Sequence, residues 1–284
     1  MRIKLVILSL AFAATAAYAA APATSSSSAN HGETLSDGGS GFRPVPSVNR
    51  PSAGSSPFTH VAFGGGISPL GINMQAATNL NRHSNLRFSG NFFNFAENNL
   101  STNGFTVNAK ANLESIGTSL DIYPFANHGF RLSPGVLIHN ANGFNGTFTA
   151  QAGTSFDLNG YTYYSSSQDP VKGNGLVGLH SQNPAFTMTT GWGNMIPRSG
   201  KHLSFPFEIG AAFVGAPTVN LTLTSGQVCD SQGLNCVNVA TDPNVQANLQ
   251  AQVAKYRNDL EPLKTYPIIS FGVAYSFGTR GGVR

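Results

Sequence analysis

Five charged side chains occupy polar positions in segments that alternate between apolar and polar residues. They are Arg87, Lys110, Glu114, Arg131 and Glu208. If the apolar positions face lipid, these charges point into a lumen, where they would line a pore or orient a charged ligand. The alternative is that they pair with one another, because a barrel of about eight strands is just wide enough to be filled by side chains. We expect the second arrangement.

Two cysteines, Cys229 and Cys236, lie in a segment rich in Gly, Ser and Asn. In an exported chain such a pair predicts a disulfide that closes a loop. A metal site built on these two thiolates would need a nearby histidine or further cysteines, and the segment has neither. We therefore predict a loop disulfide and no metal site.

Seven histidines are scattered along the chain without a spacing that predicts chemistry. The sequence has no Gly-x-Ser-x-Gly elbow, which hydrolases use to present a nucleophile. A Gly-rich phosphate loop, an EF-hand loop and a His-Glu-x-x-His helix are absent as well. We predict no catalytic residues and no cofactor, and keep a lipid-modifying enzyme as the most distant alternative.

The N-terminus has the features of a secretory signal peptide. Two basic residues precede an apolar run from Leu5 to Ala17, and Ala17-Tyr18-Ala19 offers small residues for cleavage. The run is too short to span a membrane. We assign residues 1–19 to the signal peptide and residues 20–57, rich in Ser, Gly and Pro, to a disordered linker.

Charged residues make up only 10% of the chain, whereas Gly (32) and Phe (20) are abundant. Soluble domains usually contain about 25% charged residues, so a surface that faces water everywhere would be unusual here. Asn, Ser, Thr and Gly supply the polarity instead, which suits a barrel lumen and long surface loops. The formal charge of +4 is too small to predict a nucleic-acid partner.

Alternation is clearest in the last strand, from Pro267 to Phe277. Its large apolar residues share one face, while Ser, Gly and Ala share the other. About ten such residues, tilted, are long enough to cross the hydrocarbon core of a bilayer. In this strand and in the stretch 203–223, we predict membrane-facing aromatic side chains at Phe205, Phe207, Phe213, Phe271, Tyr275 and Phe277.

Similar alternation predicts the remaining strands. They cover residues 58–66, 71–80, 86–92, 105–113, 130–139, 186–192 and 203–223, of which the last is the longest. The first two could instead form one bent strand, which would lower the total from eight to seven. After Glu114 the apolar residues change parity, and this change predicts a bulge near residues 115–117.

Short turns alternate with long connections at 140–182 and 224–265. Barrels of the outer membrane have short periplasmic turns and longer external loops, so we predict that both long connections are external. The first contains Asn159-Gly160, a strong hairpin-turn signal. The second contains an amphipathic helix over 243–261, with Asp242 as its N-cap and a proline in its first turn. Residues 278–284 form a tail.

Three motifs carry a resemblance to a known class of protein. They are Gly191-Trp192-Gly193-Asn194, the segment from Gly215 to Val219, and Tyr266-Pro267 before a strand that ends in Tyr275-Ser276-Phe277. Over residues 58–277 the chain resembles small outer-membrane β-barrel proteins of Gram-negative bacteria, a poorly characterised group. The resemblance implies insertion by the barrel-assembly machinery, which reads a terminal aromatic residue, although seven residues follow Phe277 here. It implies no established activity.

The sequence thus predicts an all-β fold: an antiparallel transmembrane β-barrel of about eight strands with one amphipathic helix before the last strand. We expect an integral protein of the cell outer membrane, surrounded by its lipid, with a structural, adhesive or small-solute (porin-like) role. The main alternative is a periplasmic or secreted barrel that binds an apolar ligand. That barrel would turn its large apolar residues inward. The sequence carries no signal for an oligomeric state.

Overall fold

The computed structural model describes residues 56–125, 128–180 and 182–279. In these ranges the chain forms one α-helix, α1 (Pro243–Leu260), a short 3₁₀ helix (Glu261–Lys264) and sixteen strands. The strands are β1 (His60–Ser68), β2 (Gly71–Asn79), β3 (Ser84–Thr102), β4 (Phe105–Ile122), β5 (Arg131–Asn140), β6 (Gly143–Ala150), β7 (Ser155–Leu158), β8 (Tyr161–Ser165), β9 (Lys172–Gly178), β10 (Ala185–Trp192), β11 (Leu203–Ser204), β12 (Phe207–Phe213), β13 (Thr218–Ser225), β14 (Gln227–Cys229), β15 (Val237–Asn238) and β16 (Thr265–Gly278).

Eight antiparallel strands close into a barrel in the order β1, β2, β3, β4, β5, β10, β12, β16. The ring closes where β1 pairs with β16, from His60 opposite Gly278 to Ile67 opposite Phe271. The predicted all-β barrel of about eight strands is therefore confirmed. The first apolar stretch forms two strands, β1 and β2, because the chain turns at Pro69 and Leu70.

Beyond the barrel, β3 and β4 continue the same sheet outward. The first half of β4 pairs with β6, and β9 and β13 follow outward from β6. We call the outer halves of β3 and β4, together with β6, β9 and β13, the extension. The end of the barrel where His60 pairs with Gly278 is called the terminal end. The extension stands at the other end.

The prediction of one long strand over 203–223 was wrong. This stretch forms β11, β12 and β13, which are separated by Pro206 and by the segment from Val214 to Pro217. Strands β11 and β12 belong to the barrel and pair with β16, whereas β13 leaves the barrel and pairs with β9. Gly215, with φ of +76°, allows the chain to turn from the barrel into the extension.

The predicted bulge lies on the neighbouring strand. β4 pairs with β3 without interruption from Ile122 to Ala109, through the region where the bulge was expected. On the other side Ile116 pairs with His139 and Gly117 with Leu137, so the extra residue is Ile138 of β5. The up-and-down alternation of β4 continues through this region. Its apolar residues move to the other face because the surroundings of the strand change.

Helix α1 begins and ends within one residue of its predicted limits. The Asp242 carboxylate accepts hydrogen bonds from the backbone N–H groups of Asn244 and Val245, as an N-cap does. The helix packs on the extension, where Val253 and Tyr256 contact Val219 of β13. No helix in the described ranges is long and apolar enough to cross a membrane.

A second, small sheet in the order β15, β14, β8, β7 accompanies the helix. Its β7–β8 hairpin turns at Asn159 and Gly160, whose φ values of 54° and 90° fit the predicted Asn-Gly turn. The predicted disulfide between Cys229 and Cys236 is formed at the edge of this sheet. The predicted signal peptide, residues 20–55 of the predicted linker and residues 280–284 of the tail lie outside the described residues.

Candidate functional site

Four ionic side chains meet in the middle of the barrel lumen, each from a different strand. Arg87 comes from β3, Asp121 from β4, Arg131 from β5 and Glu208 from β12. Each takes an inward position of its strand, while apolar neighbours such as Phe88 point outward. We call these four residues the lumen ion cluster.

Arg87 bridges the two carboxylates of the cluster. Its Nε lies 3.0 Å from Oδ2 of Asp121 and its Nη2 lies 3.0 Å from Oδ1, so the contact is bidentate. Its Nη1 lies 2.6 Å from Oε2 of Glu208. The Ser133 hydroxyl donates a further hydrogen bond of 2.7 Å to Asp121. The carboxylate of Asp121 is therefore occupied on both oxygens.

Arg131 completes the cluster from the opposite side. Its Nη2 donates to the same Oε2 of Glu208 at 2.8 Å, and its Nη1 donates to the carbonyl of Gly193 at 2.6 Å. The four side chains are between 0 and 8% exposed. Two cations thus face two anions, and the cluster is neutral. Removing one partner of such a buried arrangement leaves a charge without compensation, at a cost of about 3–5 kcal/mol.

The structure brings together three of the five predicted lumen charges, namely Arg87, Arg131 and Glu208. Lys110 and Glu114 are not among them. Both lie on the outer half of β4, on the face that continues the exterior of the barrel, where Lys110 is exposed and Glu114 faces His139 at 3.8 Å. The apolar residues between them, Ala111 and Leu113, are buried on the opposite face, because this part of β4 pairs with β6 and has left the barrel.

Sequence reasoning missed Asp121, although a signal for it was present. Leu120 and Ile122 are apolar residues on either side of it, and both are about 40% exposed on the outside of the barrel. A residue between two outward neighbours must point inward. Continuing the alternation to the end of β4 would have placed this carboxylate in the lumen.

The terminal end of the lumen is filled by the connection between β10 and β11, residues 193–202. Met195 and Ile196 fold back into the barrel against Ala62, Ala77 and Ala274, whose small side chains leave the space that they occupy. Asn85 donates a hydrogen bond of 2.9 Å to the side-chain oxygen of Asn194. These contacts attach the connection to the inner wall.

The extension end of the lumen is filled by an apolar layer. Leu70, from the β1–β2 turn, packs against a cluster formed by Leu137, Ala185, Ala212, Val214 and Tyr266. Between this layer and the ion cluster lies a cavity of about 40 Å³. A cavity of this size holds only a few water molecules. The lumen is thus filled at both ends and in the middle.

The exterior of the barrel is apolar. All six aromatic residues that were predicted to face the membrane are on this surface and are 39–59% exposed: Phe205, Phe207, Phe213, Phe271, Tyr275 and Phe277. The inner positions of β16 are instead small, and Ser270, Ala274 and Ser276 are buried there. A barrel that binds an apolar ligand inside needs the reverse arrangement, so the structure does not have the geometry of that alternative.

Comparisons with known proteins agree with this geometry. No family model matches the chain, and no curated protein matches it. Two solved structures are similar: Acinetobacter baumannii CarO, with 20% identity and a TM-score of 0.50, and A. baumannii CarO2, with 18% identity and a TM-score of 0.52. The first match covers 77% of this chain and 97% of CarO, and the second covers 78% and 100%.

At this level of identity the likeness shows the fold. The chain has the fold of a small outer-membrane β-barrel protein of Gram-negative bacteria. An apolar exterior of this extent is stable only against lipid, because such a surface in water would lead to association. The fold and the apolar exterior together place the barrel in the outer membrane.

Proposed function

We propose that the protein has a structural or adhesive role, in which a closed barrel anchors the extension, helix α1 and the small sheet at the cell surface. The observation that carries the proposal is the filled lumen. The ion cluster crosses its middle, Met195 and Ile196 fill the terminal end, and an apolar layer around Tyr266 fills the other. A solute would have to separate buried ion pairs to pass.

The lengths of the connections support an external position for the extension. At the terminal end, the links after β2 and β4 are short, covering residues 80–83 and 123–130. At the opposite end, the chain between β5 and β10 and the chain between β12 and β16 build the extension, α1 and the small sheet. Barrels of the outer membrane have short periplasmic turns and larger external elements.

The region beyond the barrel has its own packed core, which suits a rigid presenting surface. Val245 and Leu249 of α1 are buried with Phe156 and Leu158 of the β7–β8 hairpin. In the loop closed by the disulfide, Asp230 accepts hydrogen bonds of 2.8 Å from the backbone N–H of Leu234 and from the side chain of Asn235.

The same hydrogen bonds hold the pKa of the Asp230 carboxyl below its usual range. A carboxyl with a lowered folded-state pKa stabilises the fold above its unfolded pKa, and this contribution is lost as the pH falls through the folded value. The disulfide loop therefore keeps this contribution at neutral pH.

Passage of a small solute is the second candidate, and one observation favours it. The connection 193–202 that fills the terminal end is without helix or strand, and the cavity of about 40 Å³ lies beyond the ion cluster. If this connection moved out, a polar path would reach the cluster. Arg131 holds the connection through the carbonyl of Gly193, so such a movement would break a buried hydrogen bond.

The proposal includes no catalysis. The lumen contains a hydroxyl next to a carboxylate, Ser133 and Asp121, but both oxygens of that carboxylate already accept hydrogen bonds from Arg87. Within the described ranges, His, Cys, Asp and Glu form no group of three that could hold a metal ion.

Conductance in planar lipid bilayers tests the closed lumen. We expect the full-length protein, reconstituted from detergent, to give no steady conductance, because the ion cluster and both end layers must move before ions pass. Glu208→Gln would weaken the cluster and produce at most brief openings. A steady open channel in the native protein, with an ion selectivity that changes in Glu208→Gln, would contradict the proposal and support solute passage.

A further inference from the structure

The exterior of β3 and β4 changes from apolar to polar at one level on both strands. On β4, Ile122, Leu120 and Ile116 are outward and exposed, and the next outward residue is Glu114. On β3 the outward series ends in Phe92, which pairs with Glu114. The following pair is Asn94 with Asn112. The apolar surface of the barrel therefore ends at the pair of Phe92 and Glu114.

Beyond this level the same face continues without a step as the outer face of the extension. Because β4 pairs with β3 without interruption from Ile122 to Ala109, through the end of the barrel and into the extension, this face is the direct continuation of the lipid-facing surface. Lys110 lies four residues beyond Glu114, or about 13 Å along the strand. Under the proposed orientation, this face stands among the headgroups of the outer leaflet that surrounds the barrel.

The outer face of the extension consists mainly of amides and hydroxyls. One row runs across four strands through Asn108, Thr147, Asn174 and Thr222. Asn108 donates a hydrogen bond of 3.3 Å to Thr147, which fixes the positions of these two groups. Each of these side chains can both donate and accept hydrogen bonds, as sugar hydroxyls do.

Two lysines give this face a positive charge. Lys110 lies in the row next to Asn108 and pairs with Asn145, and Lys172 lies on β9 opposite Thr149. Both are exposed, and neither has an acidic partner within salt-bridge distance in the described residues. They are two strands and four residues apart, roughly 16 Å, so they would reach separate anionic groups.

We propose that this face binds the phosphorylated sugar headgroups of lipopolysaccharide in the surrounding outer leaflet. The amides and hydroxyls would bond to sugar hydroxyls, and Lys110 and Lys172 would each pair with a phosphate. Continuity with the lipid-facing surface selects a membrane headgroup over a soluble glycan as the occupant. The inference rests on the proposed function, because it requires that the extension is external.

Binding of rough lipopolysaccharide to the detergent-folded full-length protein, measured by native mass spectrometry, tests the assignment. We expect the double variant Lys110→Gln/Lys172→Gln to bind about tenfold more weakly, since it loses two exposed charge-assisted contacts. The matched control is Lys201→Gln/Lys255→Gln. It removes the same net charge from the terminal end and from α1, and it should bind like the native protein.

Two further ligands identify the source of the anion. Lipid A without core sugars should bind less tightly than rough lipopolysaccharide and should be less sensitive to the double variant. Inorganic phosphate at millimolar concentration should not displace bound lipopolysaccharide. Any of three results would overturn the headgroup assignment. They are equal lipopolysaccharide affinities of the two double variants, equal weakening of lipid A and lipopolysaccharide binding by Lys110→Gln/Lys172→Gln, and displacement of lipopolysaccharide by phosphate.

The failure of this inference can be told apart from the failure of the proposed function. Heat-modifiable gel mobility reports whether each variant is a folded barrel, and surface proteolysis of intact cells reports whether the extension is external. If the barrel is folded and the extension is external, but the lysine variants still bind lipopolysaccharide normally, the headgroup site is wrong. The proposed structural or adhesive role is then unaffected. If the extension is protected in intact cells, the orientation is wrong and both proposals fall.

Discussion

The two halves of β4 show opposite distributions of polarity on one unbroken strand. In the barrel half, Ser115 and Asp121 are buried inside while Ile116 and Leu120 are exposed outside. In the extension half, Ala111 and Leu113 are buried, while residues such as Lys110 on the other face are exposed. The strand geometry is the same in both halves. The surroundings differ, because the apolar exterior of one half faces lipid chains and the polar exterior of the other half does not.

This difference in surroundings explains which faces of the strand have apolar residues and which have polar ones. Outward side chains occupy every second position of the strand. They must be apolar where they meet lipid and polar where they meet water. The inward positions follow the reverse rule: the middle of the narrow lumen is filled by polar and ionic groups, whereas the extension is a sheet with a hydrophobic core against α1. Polarity alone does not define inside and outside here.

The largest expected effect comes from the inner face of the barrel half. Asp121→Asn would leave two arginines in the lumen facing one acid, and we expect a loss of about 3–5 kcal/mol in the free energy of unfolding. Unfolding by urea in detergent, followed by the fluorescence of Trp192, the only tryptophan, would measure it. Trp192 lies at the end of β10, where its ring is 5.1 Å from that of Phe130.

Glu114→Gln is the matched control on the outer face of the same strand. Its contact with His139, at 3.8 Å, is half exposed, so its removal should cost no more than about 1 kcal/mol. Adding Arg87→Gln to Asp121→Asn restores equal numbers of charges and should recover part of the loss. If Asp121→Asn and Glu114→Gln had the same effect, the two halves of β4 would not differ in the way that the structure indicates.

The comparison of the halves also shows what the sequence could predict. Period-two alternation, turn residues and the N-cap at Asp242 are local features, so they predicted the barrel, the Asn159-Gly160 hairpin and α1 correctly. Alternation does not say which strand a segment pairs with. It therefore extended one strand through Phe213 to Leu223, although the second part pairs with β9 in the extension.

The errors at the candidate site have the same origin. Lys110 and Glu114 have the same parity as the outward residues Ile116 and Leu120, but their neighbours Ala111 and Leu113 are apolar and buried. Only the pairing of β4 with β6 shows that this apolar face belongs to the extension and that the two charges are not in the lumen. Three-dimensional closure also determines which charges meet: Arg87 and Glu208 are far apart in sequence and touch across the lumen at 2.6 Å. No local pattern predicts that distance.

A second prediction compares one outward face on two levels of β3. Phe88 lies on the lipid-facing exterior of the barrel and is 51% exposed, and Ala96 lies on the same face of the same strand in the extension. Phe88→Arg should lower stability by about 2–4 kcal/mol, because a guanidinium near the middle of the bilayer is costly. Ala96→Arg should change it by less than about 0.5 kcal/mol, as surface substitutions usually do.

Urea unfolding of both variants in lipid vesicles would measure this difference, and proteolysis would show whether each barrel inserts. The two substitutions introduce the same charge on the same strand, so a difference between them reports the solvent at each level. Equal destabilisation would mean that the apolar exterior does not end at the pair of Phe92 and Glu114, and the assignment of the outer face to the headgroup region would have to move.

The smallest expected effect concerns the water-facing region alone. Asp242→Ala removes the N-cap of α1 and leaves the backbone N–H groups of Asn244 and Val245 without their partner, at a cost of about 1 kcal/mol. Because α1 packs on the extension, we expect the loss to appear as faster hydrogen exchange in α1 and β13, while the barrel strands exchange as before. Asp242→Asn keeps a capping oxygen and should behave like the native protein. If Asp242→Ala also accelerated exchange in β1 and β16, the extension and the barrel would unfold as one unit. The two halves of β4 would then share one stability although their surroundings differ.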